Sequence, residues 1–435
     1  MAKILVWLRD DLRISDNPAL AAALAGDAEV VALHVEETDP TLRRRGAASR
    51  WWLHHSLNAL ARELAALGVR LETIAGSVHD AVAAHAPMAV FWNRRYGPAA
   101  RDVDAAIKAT LRKAGIDARS FAGNVLVEPF DIATRAGGPY GVYTPFWRAL
   151  REREIARPLP APKPRNALRF RPVDTAYEVP RWAVKLGKYW QIGEAAAQER
   201  LQDFLGRIAD YPQGRDDPAR AATSHLSPHL AFGEISARQV WHAATALAHR
   251  EPDRAGAVQR FLMELAWRDF NIHQLYHRPD IAQVPMQARF SGMRWRDAPD
   301  DLAAWQRGET GFALVDAGMR ELWETGYMHN RVRMVAASLL TKNLLIDWRL
   351  GEAWFWDCLV DADPANNPGN WQWVAGCGTD AAPFFRIFNP LAQADRFDPD
   401  GAYRRRWAAA PREPIVDLKA SRARALEAFG AVKGR

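Results

Sequence analysis

A chain of 435 residues, 49% hydrophobic and 25% charged, has an ordinary globular composition and is long enough for two or three domains with sizeable cores. Lys and Arg number 58 against 51 Asp and Glu, a formal charge of +7 that suits a polyanionic partner without requiring one. The only cysteines, Cys358 and Cys377, show neither CxxC nor zinc-type histidine spacing, which argues against a disulfide scaffold or a structural metal and for a reducing, cytoplasmic compartment.

The opening MAKILVWLRDD is a short apolar run broken by charge after Trp7, the pattern of neither a signal peptide nor a membrane anchor. No stretch approaches bilayer length, so no membrane association is expected. Short β-branched runs at 4–7, 30–35, 69–74, 90–92 and 118–121 alternate with amphipathic segments such as 51–68 and 100–115. Such alternation predicts an α/β N-terminal domain, a doubly wound parallel sheet, over residues 1–130. No GxGxxG follows the first strand, so a dinucleotide fingerprint is absent. Proline and arginine crowd residues 131–200, which read as an extended linker on the surface. Beyond 200 the strand signal disappears. Helical periodicity at 201–211, 236–250, 255–278, 311–326, 329–363 and 421–432 makes 201–435 an all-α C-terminal domain.

Four clusters in the helical half carry polar groups at suggestive spacing. Thr223, Ser224 and Ser227 stand in a loop that enters a helix before Pro228, an arrangement that suits a phosphate or a plain N-cap. Glu264, Trp267 and Arg268 share one helical face, read either as a carboxylate desolvated beside an aromatic ring or as a surface Glu–Arg pair. Asn330 and Met334 share a face while Arg331 and Arg333 point elsewhere, Arg333 within reach of Asp361 or Asp363. In NNPGNWQW, Asn367 is expected to cap a helix with Pro368 at its first position. Trp371 and Trp373 then point roughly 200° apart while Asn367 and Trp371 share a face. Two core tryptophans around a buried helix start remain the alternative, and no role is read for Gln372. No metal constellation, GxSxG elbow or Cys–His pair suggests hydrolysis.

The segments WLRDDLRISDNPAL (7–20), YTPFW (143–147), TSHLSPHLAFGEIS (223–236), ELAWRDF (264–270), GMRELWETGYMHNRVRM (318–334) and DADPANNPGNWQWVAGCGTDAAPFFRIFNP (361–390) occur in the order found in the cryptochrome/photolyase family, which the chain resembles throughout. The resemblance implies an α/β antenna domain, a linker and a helical domain that holds FAD. It makes Tyr211, the loop Thr223, Ser224, His225, Leu226 and Ser227, and Arg333, Asp361, Ala362, Asp363 and Asn367 the flavin contacts, with Asn367 facing flavin N5 and Arg333 paired with Asp361. His225 departs from the basic residue often seen in that loop.

The same resemblance makes Glu264, Trp267, Asn330, Arg331, Met334 and Trp373 the pocket for a cyclobutane pyrimidine dimer (CPD), with Trp267 and Trp373 sandwiching the flipped-out bases. Arg215, Arg268, Arg331, Arg386 and Gln393 are the expected contacts to UV-damaged DNA. Glu264, Asn330, Arg331, Met334 and Asn367 are the expected catalytic groups, and Trp371, Trp348 and Trp295 the chain that delivers electrons to the flavin. The implied activity is light-driven dimer splitting by electron transfer from reduced FAD, in a deoxyribodipyrimidine photo-lyase that acts as a monomer. The FGEIS loop and the WWLHHSL helix lean toward the class III, plant-receptor-like branch. The alternatives are a sensory cryptochrome, against which stand the pocket tryptophans and the short tail after WQW, and a (6-4) photolyase, disfavoured by Asn330 and Met334. Methenyltetrahydrofolate is the expected antenna chromophore and 8-hydroxy-5-deazaflavin the alternative.

Overall fold

The computed structural model describes residues 2–407 and 411–433. Five parallel strands, β1 (Lys3–Leu8), β2 (Glu29–Glu37), β3 (Arg70–Gly76), β4 (Ala89–Asn93) and β5 (Asp117–Phe121), form one sheet in the order β3-β2-β1-β4-β5. The period of two in β1 feeds both layers. Leu5 and Trp7 join Val31, Leu33 and Trp92 under the helices Val78–His85 and Pro98–Lys113. Val6 and Leu8 face the helices Pro18–Ala23 and Ala47–Ala66 together with Trp52 and Leu60. Burial on both faces explains why the inner strands β1, β2 and β4 read as nearly continuous apolar runs.

The expected extended linker is only partly extended, and this is a correction. A helix at Tyr143–Arg151 buries Tyr143, Phe146, Trp147 and Leu150, which is the spacing of one apolar helical stripe. Tyr143 stacks on Trp267 at 3.8 Å and Phe146 meets Phe270 at 5.3 Å, so this helix is part of the wall behind the site. Residues 154–180 carry no regular element.

The long helical pattern at 329–363 is divided into Asn330–Ser338, a wider π turn over Leu339–Asn343, and Trp348–Cys358. Leu344 and Leu345 are buried in the break, so apolar character continues where the helix does not. Arg296 takes up the freed backbone, donating from its guanidinium to the Leu344 carbonyl and from its amide to that of Leu345, and the Asp347 side chain caps the next helix at Arg349 N. Among the described residues no helix is long and apolar enough to cross a membrane.

The first domain docks on the helix Trp348–Cys358. Ala47 N donates to Asp357 Oδ1 at 2.8 Å and Ser49 Oγ to the Leu359 carbonyl at 3.2 Å. Gly46 makes the approach possible, because a Cβ there would lie 2.0 Å from the Trp356 carbonyl oxygen.

Candidate functional site

Three helices, Ala255–His277, Asn330–Ser338 and Asn366–Ala375, converge with the loop before Ser227–Ala231 around a cavity of about 480 Å³. The first of them presents Phe261, Glu264, Trp267, Arg268 and Asn271, successive positions of one face. All the residues expected on the flavin and in the dimer pocket line this one space, including Met334 and Trp373. Asn271 was missed, although its seven-residue spacing from Glu264 places it on the same face.

At one end Arg333 Nη2 pairs with Asp361 Oδ2 at 2.9 Å, and Ser227 Oγ donates to the same oxygen at 2.7 Å. That leaves Asp361 Oδ1 and Thr223 Oγ1 buried without a protein partner, and buried polar atoms are normally satisfied. A ligand rich in donors and acceptors fits them. Of the three hydroxyls in this loop, Ser227 is bound to Asp361 and Ser224 Oγ accepts from Leu226 N at 3.4 Å, while Thr223 Oγ1 has no partner among the described residues.

His225 sits in the left-handed region with φ 52°. Burial lowers its pKa to about 4, helped by Arg200 and Arg207, so the imidazole is neutral near pH 7. Positive charge at this end therefore comes from Arg333 and from Arg200 and Arg207. The last two were not picked out from the sequence, because helical spacing gives no hint of a neighbour in a distant loop.

His329 caps the helix that carries Asn330, accepting from Arg331 N at 3.2 Å through Nδ1. Burial lowers its pKa to about 3. The unfolded chain takes a proton near pH 6.5 that the folded chain refuses until far lower, so stability is lost as pH falls through that window. His329→Asn keeps a capping acceptor that does not titrate. We expect the wild-type urea midpoint to drop more than that of His329→Asn between pH 7 and 5, by about 2 kcal/mol in stability; equal drops would contradict it.

The NNPGNWQW helix departs from expectation at its start. It runs Asn366–Ala375 with Ala365 at the cap position, and Asp363 Oδ1 takes over the free amides there, accepting from Ala365 N at 2.8 Å and from Asn366 N at 2.7 Å. Asn367 lies inside the first turn, with Pro368 after it. Its Nδ2 donates to Glu352 Oε1 at 2.8 Å and to the Glu352 carbonyl at 3.0 Å. The Asn367 amide thus meets the neighbouring helix Trp348–Cys358, while Asp363 takes the free amides at the start of its own helix. Trp371 is buried against Phe355 (5.0 Å) and Trp305 (6.1 Å), while Trp373 is half-buried beside Trp267. Gln372, left without a role, is fully buried: its amide donates to the Ile281 and Val284 carbonyls and accepts from Met286 N, tying a loop to the helix.

Glu264 pairs with Arg215 at 2.5 Å, not with Arg268 as the helical spacing suggested. Arg268 donates instead to the Asn124 carbonyl at 2.8 Å and lies 3.5 Å from that of Leu230. Arg331 pairs with Asp216 at 2.8 Å and covers the Phe397 ring. These three arginines, expected on DNA phosphates, are thus committed within the protein: a partly buried guanidinium pairs with the acceptor nearest it. Arg386 is exposed and Gln393 half-buried on the helix Pro390–Phe397, both outside the cavity. Asn330 is exposed at the cavity rim. Trp348 is buried in the core that holds Trp371, and Trp295 lies partly exposed against it.

A doubly wound sheet is thus docked on a helical domain whose cavity joins an acid–arginine pair, unsatisfied polar atoms and three tryptophans, a lining that suits a nucleotide cofactor. Two family models match the chain: DNA photolyase over residues 4–164 and the FAD binding domain of DNA photolyase over residues 261–413. The chain is 44% identical to the deoxyribodipyrimidine photo-lyase of Agrobacterium fabrum, with 99% of this chain and 98% of that one covered. A crystal structure of a bacterial class III photolyase from Agrobacterium tumefaciens superposes with a TM-score of 0.94 at 43% identity, covering 100% of this chain and 98% of that one. A cryptochrome of Synechocystis superposes at 0.87 with 26% identity, over 98% of this chain and 99% of that one. The chain belongs to the cryptochrome/photolyase family.

Proposed function

We propose that the chain is a photolyase that repairs cyclobutane pyrimidine dimers in DNA. The observation that carries this reading is that Trp267, Trp373, Glu264, Asn330 and Met334 open onto the same cavity as the Arg333–Asp361 pair, so a flipped-out pyrimidine dimer and a flavin would share one space. Extruding a damaged dinucleotide costs a few kcal/mol of unstacking, and aromatic faces recover it. Tyr143 already covers one face of Trp267, so that ring has its other face for the lesion. Glu264 and Asn330 would hydrogen-bond the dimer, and Met334 would pack against it. Tyr211, Thr223 and Asp361 would hold FAD, with Asn367 toward N5. When bound and reduced, FAD supplies on illumination the electron that splits the cyclobutane ring and takes it back. Trp371, Trp348 and Trp295 would carry electrons from the surface.

Residues 1–130 would serve as the antenna domain, 131–200 as the connector with its docked helix, and 201–435 as the catalytic domain. Open α/β sheets bind ligands where strand order reverses, here between β1 and β4. Those strand ends are filled by Arg9, Asp11 and Asn93, buried and bonded to one another. Methenyltetrahydrofolate, the chromophore that the class III branch favours, is the expected antenna and 8-hydroxy-5-deazaflavin the alternative, and the absorbance spectrum of the purified protein distinguishes them. The class III branch, a cytoplasmic location and a monomeric state complete the reading. Reduced protein under blue light should restore thymine absorbance in a dimer-containing oligonucleotide. Failure to do so would overturn repair and favour a light receptor.

A further inference from the structure

Behind Asn367 lies a contact that crosses the domain boundary. Glu352 is fully enclosed, and Arg43 of the first domain grips both its carboxylate oxygens, at 2.7 and 2.8 Å. Arg43 is itself held flat, 4.0 Å from the Trp356 ring, and Trp356 Nε1 donates to the Arg44 carbonyl at 2.9 Å. Glu352 Oε1 is shared between Arg43 and Asn367.

This arrangement decides which way the Asn367 amide points. Glu352 presents a carboxylate oxygen and a backbone carbonyl, and both only accept, so only the NH2 end of Asn367 can face them. The amide oxygen must then lie on the other side, and Asn367 lines the cavity. An acceptor there suits the N–H that a reduced flavin carries at N5 and an oxidised flavin lacks.

We propose that Arg43 is a positioning residue for the flavin: acting through Glu352, it locks Asn367 with its oxygen toward the cavity and so favours the reduced cofactor. The inference rests on the reading of Asn367 as the residue facing N5. A bidentate fork fixes the plane of a carboxylate as well as its charge, which a lysine ammonium does not. Lysine at 43 should therefore keep part of the effect.

The test is the midpoint potential of the bound flavin and the rate at which the reduced flavin reoxidises in air, measured on the full chain. Arg43→Met keeps the packing on Trp356 and removes the fork; we expect a lower potential and reoxidation about tenfold faster, the scale of one weakened charge-assisted hydrogen bond. Arg43→Lys should fall between this variant and the wild type. Should Arg43→Met fail to hold flavin, Glu352→Gln carries the same expectation, because a second amide lets Asn367 turn over. Unchanged potential and rate in these variants, with both shifted in Asn367→Ala, would overturn the relay and leave the reading of Asn367 intact. No shift in Asn367→Ala would overturn that reading itself.

Discussion

Trp373→Ala should weaken binding of dimer-containing DNA about 30-fold, the equivalent of about 2 kcal/mol for one lost stacking face. Flavin content should stay at the wild-type level. The split follows from the position of the ring. Trp373 lines the cavity and also the smaller pocket it shares with Trp267, Asn370 and Thr379, and it makes none of the contacts that order Arg333, Asp361 or Thr223. Trp371, two residues away, packs instead on Phe355, and the tip of its ring would lie 2.2 Å from a Cβ on Gly351. Trimming Trp371 would thus disturb the core, whereas Trp373 packs on the edge of that core and turns its remaining surface to the cavity. Binding to a dimer oligonucleotide and the flavin-to-protein absorbance ratio measure the two effects. Parallel loss of both would mean that Trp373 supports the fold and not the lesion.

Arg333→Met should destabilise the chain by about 3–5 kcal/mol, the cost of leaving a buried carboxylate without its partner. The Asp361 side chain is only 4% exposed, and among the described residues the one other group that donates to its carboxylate is Ser227. Arg333 also donates to the Met328 carbonyl at 2.7 Å, so its loss releases the turn that leads to His329. Replacing both residues, Arg333→Met with Asp361→Leu, should recover most of the thermal midpoint, because an apolar pair has no charge to desolvate. It should not recover flavin, since Asp361 Oδ1 is one of the buried atoms that fit a polar ligand. A double variant with wild-type flavin content would show the pair to be structural alone.

What could be read in the one-dimensional chain was whatever a single element's geometry carries. The face shared by Glu264, Trp267 and Arg268 lies within one helix, so the 3.6-residue period sufficed to group them, and it would have added Asn271. The same period was available at Tyr143, Phe146, Trp147 and Leu150, where the surrounding prolines obscured it. The divergence of Trp371 and Trp373 needed only the angle per residue, and the parallel sheet only the alternation of strands with amphipathic helices. The resemblance to a family supplied the roles.

Partners across elements had no such signal. Arg215 reaches Glu264 from the turn after Tyr211–Gly214, Arg43 reaches Glu352 from another domain, and Arg200 and Arg207 bring their charge to His225 from an element distant in the chain. Each pairing depends on which donor lies nearest once the helices have packed. For the same reason the partner of the Asn367 amide had no local signal: its NH2 group meets a buried carboxylate and carbonyl on the neighbouring helix, while Asp363 accepts from the first amides of its own helix. The sequence by itself determined the elements, their faces and the residue types available to the cavity, because those follow from local periodicity. Only the tertiary structure decided which charge meets which and which way an amide turns, because those are set by distances between elements that no local rule specifies.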